Sequence, residues 1–242
     1  GVITHFAIGQ TAIAEYPTLR PHRMAIGFYN TVDGKLKRVH RLELDVDGPT
    51  TTVEALHGHK RPELILLNDD DLAYAKIRLD NLSWQTALEN LSAIDDSLAR
   101  TLIWSSAWDA TRDAEASPRD FIKLVLNNIG NETESTTMLT LLRQLVTAAN
   151  LYVTPDKRDE TISQVGTGLL ELARKAAAGS DAQLQFTKFF ALFANTPALL
   201  NALEEIRSGK EKLAGLTIDT DLNWELLTGL VVGGRLGETE ID

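Results

Sequence analysis

The amino-acid sequence predicts an α+β protein built as two units, a small antiparallel β-sandwich over residues 1–80 followed by an all-α array of helical hairpins over 81–242. Three observations carry this reading. Through the run 61–80, apolar residues alternate or come in short β-branched stretches, and after it nearly all recur at helical spacing. The early strands are joined by short turns with no helix between them, which implies antiparallel pairing. The later segments open on N-cap residues and close on glycines.

In the first unit, strands are predicted over 2–8, 23–29, 36–46, 50–56, 64–67 and 72–79. Alternation is clearest in the third, where Leu36, Arg38, His40, Leu42 and Leu44 share one face and Lys37, Val39, Arg41, Glu43 and Asp45 the other. Asp33-Gly34 is a strong hairpin turn because glycine accepts the positive φ such turns need. Asp47-Gly48-Pro49 supplies another.

In the second unit the helices carry legible start and stop signals. Asp95 or Asp96 caps a helix running to about Ala114, with Leu98, Leu102, Trp104, Ala107 and Trp108 on its apolar stripe. Ser117-Pro118-Arg119-Asp120 places a hydroxyl cap, a proline at the first helical position and an acid in the first turn, and Gly130 ends that helix. Thr154-Pro155-Asp156 repeats the device before a helix ending near Gly179. Ser180-Asp181 and Thr196-Pro197 open two more, the second closing at Gly209, and Asp219 starts a final helix through Val232. About seven helices with short connections fit stacked hairpins of the solenoid, HEAT/ARM-like type, or equally a compact helical bundle.

Composition excludes several function classes. A formal net charge of -10 gives no basic face for nucleic acid or an anionic membrane. With no cysteine there are no disulfides, thiolate zinc sites or cysteine nucleophiles, which suits a reducing, cytoplasmic location. No stretch reaches the roughly 18 consecutive apolar residues of a membrane span. Both ends read as cut points: Gly1 already opens a strand, and Gly237 to Asp242 form a polar tail after an apolar helix.

The chemically suggestive residues favour structural readings. The histidines are His5, His22, His40, His57 and His59, and none lies in His-Glu-x-x-His, the arrangement that sets two imidazoles on one zinc. Glu54, His57 and His59 form the one dense group of possible ligands, on a basic turn with Gly58, Lys60 and Arg61 where solvated side chains are expected. Asp69-Asp70-Asp71 lacks the spacing of a calcium loop and reads as a polar break between two apolar strands. Trp104 with Trp108, and Phe186, Phe189, Phe190 and Phe193, have core spacing. Gly166-x-Gly168 and Gly233-Gly234 lack the strand-turn-helix context of a phosphate loop. No Gly-x-Ser-x-Gly elbow occurs, and the sequon at Asn131 has no meaning without secretion. Trp224, in the polar start of a helix, is the aromatic best placed to face a cavity.

The run Leu66-Leu67-Asn68-Asp69-Asp70-Asp71-Leu72-Ala73-Tyr74-Ala75-Lys76-Ile77-Arg78-Leu79-Asp80 resembles the sheet-to-helix junction of the actinobacterial aminopeptidase N family, zinc metallopeptidases of the gluzincin type. Three further stretches agree: the one from Leu19 to Tyr29, that from Asp96 to Trp104 with Trp108-Asp109, and that from Asp219 to Trp224. The resemblance implies a β-sandwich and then a helical domain similar to that of endoplasmic-reticulum aminopeptidases, with its helical end truncated. The family's Gly-x-Met-Glu-Asn and His-Glu-x-x-His motifs, distal glutamate ligand and catalytic tyrosine have no counterpart here, and the methionines, Met24 and Met138, sit in other contexts. No catalytic, cofactor or metal residue is therefore assigned, and zinc is expected in the parent enzyme only. The resemblance thus implies a non-catalytic C-terminal fragment that walls and caps the substrate chamber, with Trp224 as the chamber candidate. Its partners would be the preceding catalytic domain and the enzyme's peptide substrates. The alternative is a freestanding helical-repeat interaction scaffold.

Overall fold

The computed structural model describes residues 1–240, so the last two residues of the predicted polar tail lie outside the described range. Five strands, β1 (Ala7–Gly9), β2 (His22–Val32), β3 (Lys35–Val46), β4 (Thr50–Thr52) and β5 (Leu64–Asp69), precede eight α-helices among the described residues. The protein is thus α+β, with small antiparallel sheets ahead of a helical region. None of the described helices is long and apolar enough to cross a membrane.

Two compact units form, residues 1–113 and 114–242. In the first, the Asp33-Gly34 turn, with φ of 54° and 76°, joins β2 to β3 as the turn chemistry requires. The sheet order is β3-β2-β5, all antiparallel, and β1 pairs with β4 in a separate ribbon. Met24, Ile26 and Phe28 of β2 and Ile65 of β5 bury one sheet face against Ile3, Ile8, Val53 and Leu56. The alternate residues Leu64 and Leu66 point the other way, and there α1 (Asn81–Asn90) and α2 (Ser97–Arg112) pack on β5. The strand-to-helix change therefore lies near residue 80, while α1 and α2 group with the sheet.

The stretch 72–79 is not a strand. Asn68, Asp70 and Asp71 take left-handed φ of 55°, 70° and 56°, which ends the ladder, and the Asn68 side chain then closes the turn on Ala73, accepting from its N–H at 2.8 Å and donating to its carbonyl at 2.7 Å. Beyond that, side chains take the place of a ladder. Ser106 Oγ donates to the Ile77 carbonyl at 2.8 Å, Lys76 and Arg78 pair with Asp113, and Asp80 caps α1. The extended stretches 2–8 and 50–56 are also shorter than their patterns suggest: Val2 makes one isolated bridge, and Glu54–Leu56 is a 3₁₀ turn.

The second unit holds α3 (Pro118–Asn128), α4 (Ser135–Thr147), α5 (Pro155–Lys175), α6 (Asp181–Ala191), α7 (Pro197–Arg207) and α8 (Thr220–Val232). Ser180, Thr196 and Asp219 cap as their types predict, each accepting from a backbone N–H in the first turn. Ser117 and Thr154 do not, and the following proline with its fixed φ starts those helices instead. Gly130 lies inside a 3₁₀ turn, Ile129–Asn131, beyond the end of α3. Phe186, Phe190 and Phe193 are buried in this unit's core, whereas Leu98 of the first unit's predicted stripe is 42% exposed.

Two glycines set the closest helix approaches. A Cβ on Gly166 of α5 would lie 2.6 Å from the Phe193 carbonyl oxygen, and one on Gly229 of α8 would lie 2.5 Å from that of Ala191. The obstacle in both cases is backbone, which cannot swing aside as a side-chain tip can. Gly166→Ala is therefore expected to destabilise the second unit by about 2–3 kcal/mol, read as a lowered urea midpoint at unchanged m-value.

Candidate functional site

A β-bulge between Ala25 and Ile26 in the β2–β5 pairing brings Asp69 over Gly27, where its side chain is 1% exposed. A Cβ on Gly27 would fall 2.0 Å from Asp69 Oδ2, so only glycine leaves room for the carboxylate. Tyr29 Oη donates to Asp69 Oδ1 at 3.0 Å and Arg38 Nη1 to Oδ2 at 2.9 Å. Burial, and then the Asp69 charge, hold the Tyr29 phenol well above its ordinary range, so it stays a protonated donor.

From there an ionic chain runs across the sheet. Asp70 bridges Arg38 at 2.6 Å and Arg41 at 2.6 Å, Arg41 meets Glu43 at 3.1 Å, and Arg23 meets Glu43 at 2.8 Å and Asp45 at 3.1 Å. Hydrogen bonds from Arg38 and then Arg41 hold the Asp70 carboxyl below its usual value. The aspartate triplet is indeed a turn, but Asp69 is also the buried anchor of this chain of charges. Sequence reasoning missed Tyr29 and Arg38 as its partners. The signal available was Gly27, a glycine inside an otherwise apolar strand, which often marks a close approach.

In the second unit, α3 and α5 border a groove of about 670 Å³. One stripe of α5, from Glu160 through Ser163, Gln164 and Thr167 to Glu171, faces Leu126 and Asn127 of α3. Gly168 keeps the floor low, since a Cβ there would stand 3.0 Å from Leu126. Thr167 donates to the Ser163 carbonyl of its own helix at 2.9 Å, and no imidazole lines the groove, so its surface offers binding groups and no activated nucleophile. Trp224 is separate from it, on α8 and 48% exposed. Trp104 is buried and Trp108 partly buried, both on α2. Gly233 sits at the end of α8, where a Cβ would meet Leu200 at 2.3 Å.

The structure divides the predicted histidine group. Glu54 and His57 are exposed on the 3₁₀ turn and just after it, whereas His59 lies against His40. Among the described residues no group of three or more His, Asp or Glu could hold a metal, so these residues do not fit a catalytic zinc.

Residues 64–242 match the ERAP1-like C-terminal domain family. The chain belongs to this family. Its matched region begins at Leu64, the first residue of β5, and so takes in the sheet edge, the aspartate turn and both helices that pack on β5. The whole chain is also similar to an aminopeptidase N of Streptomyces lividans, 45% identical over 248 residues. All of this chain is covered by that comparison but only 29% of the relative, so the chain spans less than a third of that protein's length. The resemblance carried by the aspartate run thus extends over every residue here.

Two outcomes are expected at the Asp69 cluster. Tyr29→Phe leaves a buried carboxylate short of one donor and should cost about 1–3 kcal/mol in urea unfolding, while Gly27→Ala should cost at least as much. Asp70 has a folded pKa below its unfolded one, so its stabilisation is complete above about pH 4 and is lost as the pH falls through the folded value. Asp70→Asn should accordingly flatten the acid limb of a stability-against-pH curve below about pH 4.

Proposed function

We propose that the chain is a non-catalytic C-terminal portion of a zinc-dependent aminopeptidase, contributing part of the wall and cap of the chamber in which peptides lose their N-terminal residues. The observation that carries this reading is the full-length similarity to less than a third of an aminopeptidase N, together with membership of the ERAP1-like C-terminal domain family. The chain contains no His-Glu-x-x-His sequence, which agrees with chemistry performed elsewhere in a longer polypeptide. A freestanding helical scaffold is not favoured, because the match runs across both the sheet and the helices.

In this reading the partners are the preceding catalytic domain of the same polypeptide and its peptide substrates, with no nucleic acid or membrane, in the cytoplasm. Net charge and the lack of cysteine support that assignment. By element type, we propose a β-sandwich domain over 1–80 and a helical domain over 81–242, supported by the switch from strands to helices near Asp80, with the first two helices packed on the sheet within the first compact unit. We read the helical part as stacked hairpins of the HEAT/ARM-like kind, on the strength of its short connections. Trp224 is the proposed chamber-facing residue. A large aromatic left 48% exposed on a helix whose Leu222, Leu226 and Leu230 are buried suits contact with an extended peptide.

The purified chain is expected to leave alanyl and leucyl anilides unhydrolysed with or without added zinc; metal-dependent hydrolysis by it would overturn the reading. In the longer enzyme, Trp224→Ala should change the rate ratio between long and short peptides by roughly fivefold, about 1 kcal/mol of contact, with anilide turnover unchanged.

A further inference from the structure

We propose that His40 and His59 form a two-imidazole site for a divalent transition-metal ion, binding nickel and copper more tightly than cobalt or manganese. The pair is 19 positions apart in sequence, and the fold brings β3 and the turn before β5 together so that the ring centroids stand 5.0 Å apart at an interplanar angle of 43°. The centroid spacing is compatible with two imidazoles on one ion. A metal–nitrogen bond of about 2.0–2.1 Å plus roughly 1.1 Å from ring nitrogen to ring centre sets each centroid about 3.2 Å from the ion, so two adjacent ligands at about 90–110° have centroids about 4.5–5.2 Å apart. The observed separation lies in that interval.

Two further observations point to a ligand. Neither imidazole has a hydrogen-bond partner among the described residues, and His59 is exposed, so the ring nitrogens are open to solvent and to an ion dissolved in it. His40 also touches the core: Phe28, only 2% exposed, meets its ring edge-on with centroids 5.5 Å apart. One ligand is thereby preorganised by the core, while His59 is exposed and gives the ion a path from solvent. Neutral imidazole favours borderline ions, and the affinity order of first-row divalent metals places copper and nickel ahead of cobalt and manganese. Water would complete the coordination shell, and a bound ion would clip the turn at His59 to the sheet beneath it.

The probe is nickel chloride, titrated calorimetrically into the 242-residue chain. One nickel per chain is expected, with affinity reduced at least tenfold in His40→Gln and in His59→Gln and unchanged in His57→Gln. His59 is exposed, so His59→Gln decides the matter even if His40→Gln perturbs the sheet, and circular dichroism checks both folds. With copper, electron-spin-echo measurements should show two equatorial imidazoles in the parent chain and one in His59→Gln. The proposal is overturned if no nickel binds, or if His59→Gln binds it as tightly as the parent.

Discussion

The first unit is organised around a carboxylate buried inside its sheet. Asp69 loses nearly all hydration where it sits, a cost of several kcal/mol that only charge-assisted hydrogen bonds in good geometry offset. Three conditions meet that demand at once: a bulge that aims Asp69 at the middle strand, a glycine that clears the space, and two donors, Tyr29 and Arg38, that reach it. Much else depends on the same point. The residues that end β5 take left-handed conformations beside it, so the chain leaves the sheet there and passes through Ile77, docked by Ser106, to the cap of α1.

That arrangement explains why the aspartate run is both a turn and a structural centre. Asp70 is part exposed and shares its charge between two arginines, where an isolated surface pair would contribute little; linked through Asp69 to the interior, it belongs to a network spanning β2, β3 and β5. The helical unit rests on a different constraint. Its cohesion comes from apolar helix faces brought close by Gly166 and Gly229, with bidentate pairing of Arg174 and Glu211 at 2.8 Å tying α5 to the segment after α7.

Much of the fold was legible from local chemistry. Asp33-Gly34 announced its hairpin, Asp96, Ser180, Thr196 and Asp219 announced their helices, and the change of hydrophobic period announced the passage from strands to helices. Where the reading departed from the structure, a side chain or a φ angle overrode the pattern. Residues 72–79 alternate like a strand, yet Asn68 and its neighbours had already turned the chain away from any ladder partner. Ser117 and Thr154 have the right type to cap but leave the task to proline geometry.

The sequence by itself determined the α+β class, the polarity of the surface, the absence of a zinc-binding helix motif, and a family resemblance that extends over the whole chain. These depend on residue types and short spacings, which are written along the chain. Tertiary structure alone decided that α1 and α2 join the sheet, that Asp69 is buried against Tyr29 and Arg38, and that His59 meets His40 rather than His57. Such pairings join residues 19 to 40 positions apart, and strand register, bulges and helix packing set their distances, which no local spacing encodes.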